Sequence, residues 1–244
     1  MSLSEDQQSS LTTPLPVQTW VFVVVCASAG ALAVPLHAVA TPVSAGVAGL
    51  VGFLGLRVWR WSHLPSFMKT EAPDGVVRLV LPAASMGLGL IVGLVLLGVI
   101  RLVIEPDVPA AGARIAASAV LPVWRRVVII YVAAVSEELL FRLLLLSLLA
   151  GLATRLVRRA DRVPNRRFVW VANGLSAIAF AAAHLPAWRA VGPLSVGLAL
   201  MVLTLNSLGG MVFGYVFVKR GILAAMWAHA GADCAIQLIG PFIG

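Results

Sequence analysis

Polar positions along this chain are few and clustered, and between the clusters run stretches of almost unbroken apolar residues. Crossing about 30 Å of hydrocarbon takes roughly 20 helical residues. Seven stretches approach or exceed that length, at about 18–36, 43–59, 79–103, 127–150, 168–185, 194–218 and 221–240. The second and fifth are short, and the third and sixth are long enough to tilt. A further segment, 109–124 (PAAGARIAASAVLPVW), mixes apolar and polar positions as a helix lying flat at a membrane interface does, so the pattern allows six to eight spans. The expected fold class is all-α, a polytopic transmembrane helix bundle forming a single integral membrane domain over 1–244.

Composition points the same way. Hydrophobic residues make up 60% of the chain and charged ones 11%, and the mean hydropathy is +0.98, beyond what the core of a soluble domain of this length requires. The formal charge of +8 raises the question of nucleic acid, and the placement of the basic residues answers it. They sit at span ends: Arg57, Arg60, Lys69 and Arg78; Arg155, Arg158, Arg159, Arg162, Arg166 and Arg167; Lys219 and Arg220. Arg101, Arg114, Arg125, Arg126 and Arg189 fall on the other side. Twelve against five is positive-inside patterning, with lipid headgroups as the partner, no nucleic acid, and a cytoplasmic N-terminus. The first sixteen residues carry Glu5 and Asp6 but no Lys or Arg, so no cleaved signal peptide is expected.

Cys26 and Cys234 both fall inside spans, which makes a disulfide framework or a thiolate metal site an unsuitable reading. No phosphate-binding GxxxxGK[ST] or GxGxxG loop occurs. The pairs Gly89/Gly93 and Gly210/Gly214 read first as points of close helix approach.

Chemistry is concentrated in the polar residues that interrupt the spans. Residues 135–142 read VSEELLFR inside an otherwise apolar run. A charged side chain at the bilayer centre costs about 2.5–3.5 kcal/mol on insertion scales, so Glu137, Glu138, Arg142 and Asp233 are expected to face inward and to be paired. Glu138 and Arg142 are four apart and share a helix face; Glu137 is rotated by about 100° and points elsewhere. Phe180 and His184 repeat the four-residue spacing, with Asn173 on the same face, and so do His229 and Asp233, with Gln237 continuing the stripe. Two histidines, three carboxylates and an arginine on three spans are a candidate site.

EExxxR at Glu137–Arg142, FxxxH at Phe180–His184 and HxxxD at His229–Asp233, in this order on successive spans, resemble the three motifs of the type II CAAX prenyl endopeptidase family, whose superfamily includes prokaryotic CAAX-protease and bacteriocin-processing enzymes. The resemblance covers roughly 127–240. It implies an intramembrane endopeptidase of the glutamate type, acting on a membrane-associated or lipidated peptide, in an inner membrane if the chain is prokaryotic. Carried over, Glu137 and His184 activate water, and His229 and Asp233 stand on the oxyanion side, with Glu138, Arg142 and Phe180 in support. Asn is the expected residue where this chain has Asp233. An ionised Asp cannot donate to an oxyanion, so Asp233 is either protonated or orients His229. The family's activity faces the cytoplasm, whereas positive-inside counting puts His184 near the external end of its span.

No cofactor is expected. Zinc is the alternative that two histidines and glutamates suggest, but HExxH is absent. Ser136 and Ser195 lie in no GxSx context of a serine protease. Two other classes of function stand beside the enzyme. In a proton-coupled transporter Glu, His and Asp would form a relay; a non-proteolytic membrane partner would use the same fold without its chemistry.

Overall fold

The structure, a computed structural model, describes residues 17–34, 39–64, 75–157, 164–189 and 193–243. The described residues form eight helices and no strands, so the chain is the helical membrane bundle its hydropathy implies. Helix α1 is Val17–Leu32 and α2 is Ala40–Ser62. Helix α3 is Gly75–Val99, running on through a π-helical turn, Ile100–Ile104. The short α4 is Pro109–Ala117, followed by a 3-10 turn to Val120. Helix α5 is continuous through Val123–Glu138, a π-helical stretch Leu139–Leu146, and Ser147–Leu156. Helices α6 and α7 are Arg166–Arg189 and Val196–Arg220. Helix α8 is Ile222–Cys234, extended by a π-helical Ala235–Ile239.

Five of these are long and apolar enough to cross a membrane: Ala40–Ser62, Pro82–Ile104, Arg166–Arg189, Val196–Arg220 and Ile222–Phe242. Two of the seven expected spans differ. The first ends at Leu32, and its apolar part, Trp20–Leu32, is short; positions 35 and 36 lie outside the described residues, as do Glu5, Asp6, Lys69, Arg158, Arg159 and Arg162. The fourth is long but carries Arg125, Arg126, Glu137, Glu138 and Arg142. The 109–124 stretch gives only a nine-residue helix, about 14 Å long, too short to span.

The bundle is inside-out relative to a soluble protein. Large apolar side chains such as Leu54, Ile91, Leu102, Ile178 and Leu208 stay exposed on its outside, where lipid covers them. Small residues let the interior helices approach. Gly89 meets the backbone of Ala228, and Gly93 that of Ala232, so any side chain at either would overlap α8. At the α6–α7 contact, Gly210 and Gly214 admit α6 at Ala177 and Asn173. Both GxxxG pairs are therefore packing elements. Cys26 is buried in the core and Cys234 is partly buried, and both are free thiols.

Candidate active site

Helix α5 carries two adjacent carboxylates that meet different surroundings. Glu138 is fully buried, and its Oε2 lies 3.3 Å from Nε of Arg142, itself 1% exposed. The pairing is the i,i+4 contact the spacing predicts. Arg142 is held further by Gly210 of α7, whose carbonyl accepts from Nη2 at 3.0 Å, and by two rings: its guanidinium carbon lies 4.5 Å from the Phe180 centroid and 5.6 Å from that of Phe213. A buried ion pair holds only when the remaining donors and acceptors are also satisfied. Here the backbone of α7 and two aromatic faces supply most of that, and Nη1 of Arg142 and Oε2 of Glu138 are the two buried atoms of the pair without a hydrogen bond.

The other oxygen of Glu138 reaches α8. His229 donates from Nδ1 to Oε1 of Glu138 at 2.9 Å, and its ring stacks on Phe213 at 4.7 Å and 13°. A carboxylate can only accept, so this bond places a proton on Nδ1 and turns Nε2 into the site. That Nε2 is 3.7 Å from Oε2 of Glu137 and 3.7 Å from Oδ2 of Asp233.

His184 arrives from α6 in a similar way. Its Nδ1 donates to the carbonyl of Phe180, one turn back, at 2.8 Å, so Nε2 faces Glu137 at 3.8 Å. Phe180 packs against His184 and His229 together, with centroid separations of 4.7 and 5.7 Å. Oε2 of Glu137 makes no hydrogen bond although it is shielded from solvent. It lies beyond direct hydrogen-bond range of both imidazole nitrogens and at separations one water can bridge.

Two of these residues, His184 and Asp233, stand at the wall of a cavity of about 550 Å³ that is lined also by Gln237 and by the apolar Ile100, Met201 and Leu205. The cavity is roofed by α4, through Arg114 and Ile115. Burial pushes the Arg114 guanidinium down from its ordinary value; it donates to the carbonyl of Ala187 at 2.8 Å and lies over Trp188. Among the described residues, no three His, Cys, Asp or Glu side chains are arranged to hold a metal ion.

Glu137, Glu138, Arg142, Phe180, His184, His229 and Asp233 thus come together from three helices. Asn173 does not join them: it is buried, and its amide donates to the carbonyl of Met211, tying α6 to α7. Orientation of His229 falls to Glu138, whereas Asp233 sits by the opposite nitrogen. The sequence reading missed Phe213 and the Gly210 carbonyl; a lone aromatic and a glycine in an apolar helix carry no chemical signal. It also missed that α5 and α8 turn π-helical directly after Glu138 and Cys234, a distortion frequent at functional sites.

Residues 119–235 match the family model described as type II CAAX prenyl endopeptidase Rce1-like. All three motifs lie inside the matched segment. No curated protein and no solved structure matches the chain.

Proposed function

From the match of residues 119–235 to the Rce1-like type II CAAX prenyl endopeptidase family model, we propose that the chain is an intramembrane endopeptidase that cleaves membrane-associated or lipidated peptides with a water activated by Glu137 and His184. One observation carries this reading: the shielded Oε2 of Glu137, which makes no hydrogen bond, lies between two imidazole Nε2 atoms, and one of these imidazoles, His184, lines a cavity large enough for a short peptide segment.

A water bound there donates one hydrogen bond to Glu137 and one to Nε2 of His184, which aims an oxygen lone pair at a peptide carbonyl in the cavity. The water oxygen bonds to the carbonyl carbon, its proton passes to Glu137, and the π pair moves onto the carbonyl oxygen. Collapse restores the carbonyl and breaks the C–N bond, and the departing amine takes the proton from Glu137. The net reaction consumes one water and yields two peptides. These steps need no cofactor.

A proton relay would require polar groups continuing to the far side of the bundle. Beyond Arg142 the interior holds the buried Leu143, Leu146, Ala150, Val216 and Phe217, and the buried hydroxyls of Ser147 and Thr154 bond to carbonyls of their own helix; no ionisable group continues the path among the residues named, which favours the enzyme over the transporter. All three motifs also keep their ionisable residues, which a purely structural partner would not need.

The distribution of exposed charge supports one orientation. Arg57, Arg60, Arg166, Arg167, Lys219 and Arg220 are exposed at the bundle end opposite the cavity, while at the cavity end only Arg125 and Arg189 are exposed: Arg114 is half-buried, Arg101 is paired with Glu105, and Arg126 is buried. We place the basic end and the N-terminus in the cytoplasm of the cell whose inner membrane holds the protein. Asn165→Cys in intact cells then resists a membrane-impermeant thiol reagent; labelling would reverse the orientation.

The activity is tested by labelling new peptide termini in membranes of cells expressing wild type or Glu137→Gln. Termini made only by wild type name the substrate. Identical sets in the two would remove the enzymatic reading.

A further inference from the structure

The proposed reaction develops negative charge on the substrate carbonyl oxygen, and position 233 offers a carboxylate where an amide donor would serve that charge. Donors elsewhere in the cavity are mostly engaged: Arg114 with the carbonyl of Ala187, and the hydroxyl of Ser118 with that of Ile115. Asn206, in the middle of α7, lines the cavity with His184 and Asp233. It lies one turn before Gly210, the residue that accepts from Arg142, and two turns before Phe213, which stacks on His229, so it shares the face of α7 that touches the site.

Its amide is fixed. Nδ2 is 2.8 Å from the carbonyl of Val202, and a carbonyl only accepts, so the nitrogen must point there and not the oxygen. One N–H is used in that bond. The second N–H has no hydrogen-bond partner among the described residues. Gln237 lines the same cavity, but no hydrogen bond holds its side chain among those residues. A donor held by its own helix costs no reorganisation when charge develops, which is what oxyanion stabilisation requires.

We propose that Asn206 is a catalytic residue, its free N–H donating to the carbonyl oxygen as the tetrahedral intermediate forms, in the role the carboxylate of Asp233 cannot fill when ionised. This rests on the endopeptidase reading above. The test compares Asn206→Ala and Asn206→Asp with wild type and Glu137→Gln. Each is purified and added to membranes from cells lacking the protein, and the rate of appearance of new peptide termini is followed under alkaline conditions.

Removal of an oxyanion donor lowers turnover by about 10²–10³-fold. Asn206→Asp is expected to be at least as slow as Asn206→Ala, because it adds like charge beside the intermediate. A space-filling role predicts the reverse order, since Asp is nearly isosteric with Asn. Rates within about threefold of wild type in Asn206→Asp, or an Asp variant clearly faster than the Ala variant, would overturn the assignment while leaving the endopeptidase reading in place. If Asn206→Ala fails to fold, the isosteric Asp variant decides alone. Termini that persist in Glu137→Gln would remove the endopeptidase reading itself.

Discussion

Glu137 and Glu138 are neighbours in the chain and belong to two different regions of the molecule. Glu138 sits in a closed knot with Arg142, Gly210, Phe180, Phe213 and Nδ1 of His229, with no solvent exposure. Glu137, with a side chain 29% exposed, lies beside Nε2 of His229 and Nε2 of His184, and His184 with Asp233 lines the cavity. In one region the carboxylate faces an arginine at 3.3 Å; in the other the shielded oxygen has only imidazole nitrogens, at 3.7 and 3.8 Å, beside it. A helix turn of about 100° per residue is enough to separate the two. Placing the reactive carboxylate next to a rigid one lets the closed knot hold the geometry that the open cavity uses. His229 belongs to both, and through it the structural side fixes the nitrogen that the cavity side sees.

The comparison breaks most visibly at Glu137. Its change to Gln keeps size but removes the proton acceptor, and the rate of terminus formation is expected to fall by about 10²–10⁴-fold with the melting temperature in detergent unchanged. A Glu137→Gln enzyme that is active but melts early would place this carboxylate on the structural side instead.

The next effect is on stability. Arg142→Met strands Glu138, and Glu138→Gln strands Arg142; breaking a buried pair from one side costs about 3–5 kcal/mol. The double variant Glu138→Gln/Arg142→Met is expected to recover part of that loss in a double-mutant cycle of detergent melts. Simple additivity of the two single losses would mean that the pair is not coupled.

The two histidines sharpen the contrast. Both His184→Ala and His229→Ala are expected to stop cleavage, but only His229→Ala also lowers the melting temperature, because it leaves Oε1 of Glu138 buried without its donor, at about 1–3 kcal/mol. Equal melting of the two variants would detach His229 from the knot.

The smallest effect belongs to the α6–α7 contact. An added Cβ at Gly214 meets the side-chain amide of Asn173, and Gly214→Ala is expected to cost about 1–3 kcal/mol by overpacking while cleavage per folded molecule stays at the wild-type rate. A loss of activity without a loss of stability would extend the site into the α6–α7 interface.

The sequence by itself determined the solvent, the helices and the nearest-neighbour chemistry. Lipid imposes long apolar runs, and a helix imposes its period, so five of the seven expected spans, the Glu138–Arg142 pair, and the divergence of Glu137 were legible from local spacing. The order of EExxxR, FxxxH and HxxxD was legible too, and the family match over 119–235 agrees with it. Only the tertiary structure decided what lies far apart in the chain but close in space. His229 is 91 residues from the carboxylate that orients it, the arginine is seated by a glycine carbonyl 68 residues away, and Asn173, on the face predicted for the site, packs elsewhere. The physical reason is that a side chain's helix face follows from a few neighbouring residues. The helix that face meets depends on packing the whole bundle, where small residues such as Gly89 and Gly210 set the approach and leave no chemical mark in the sequence.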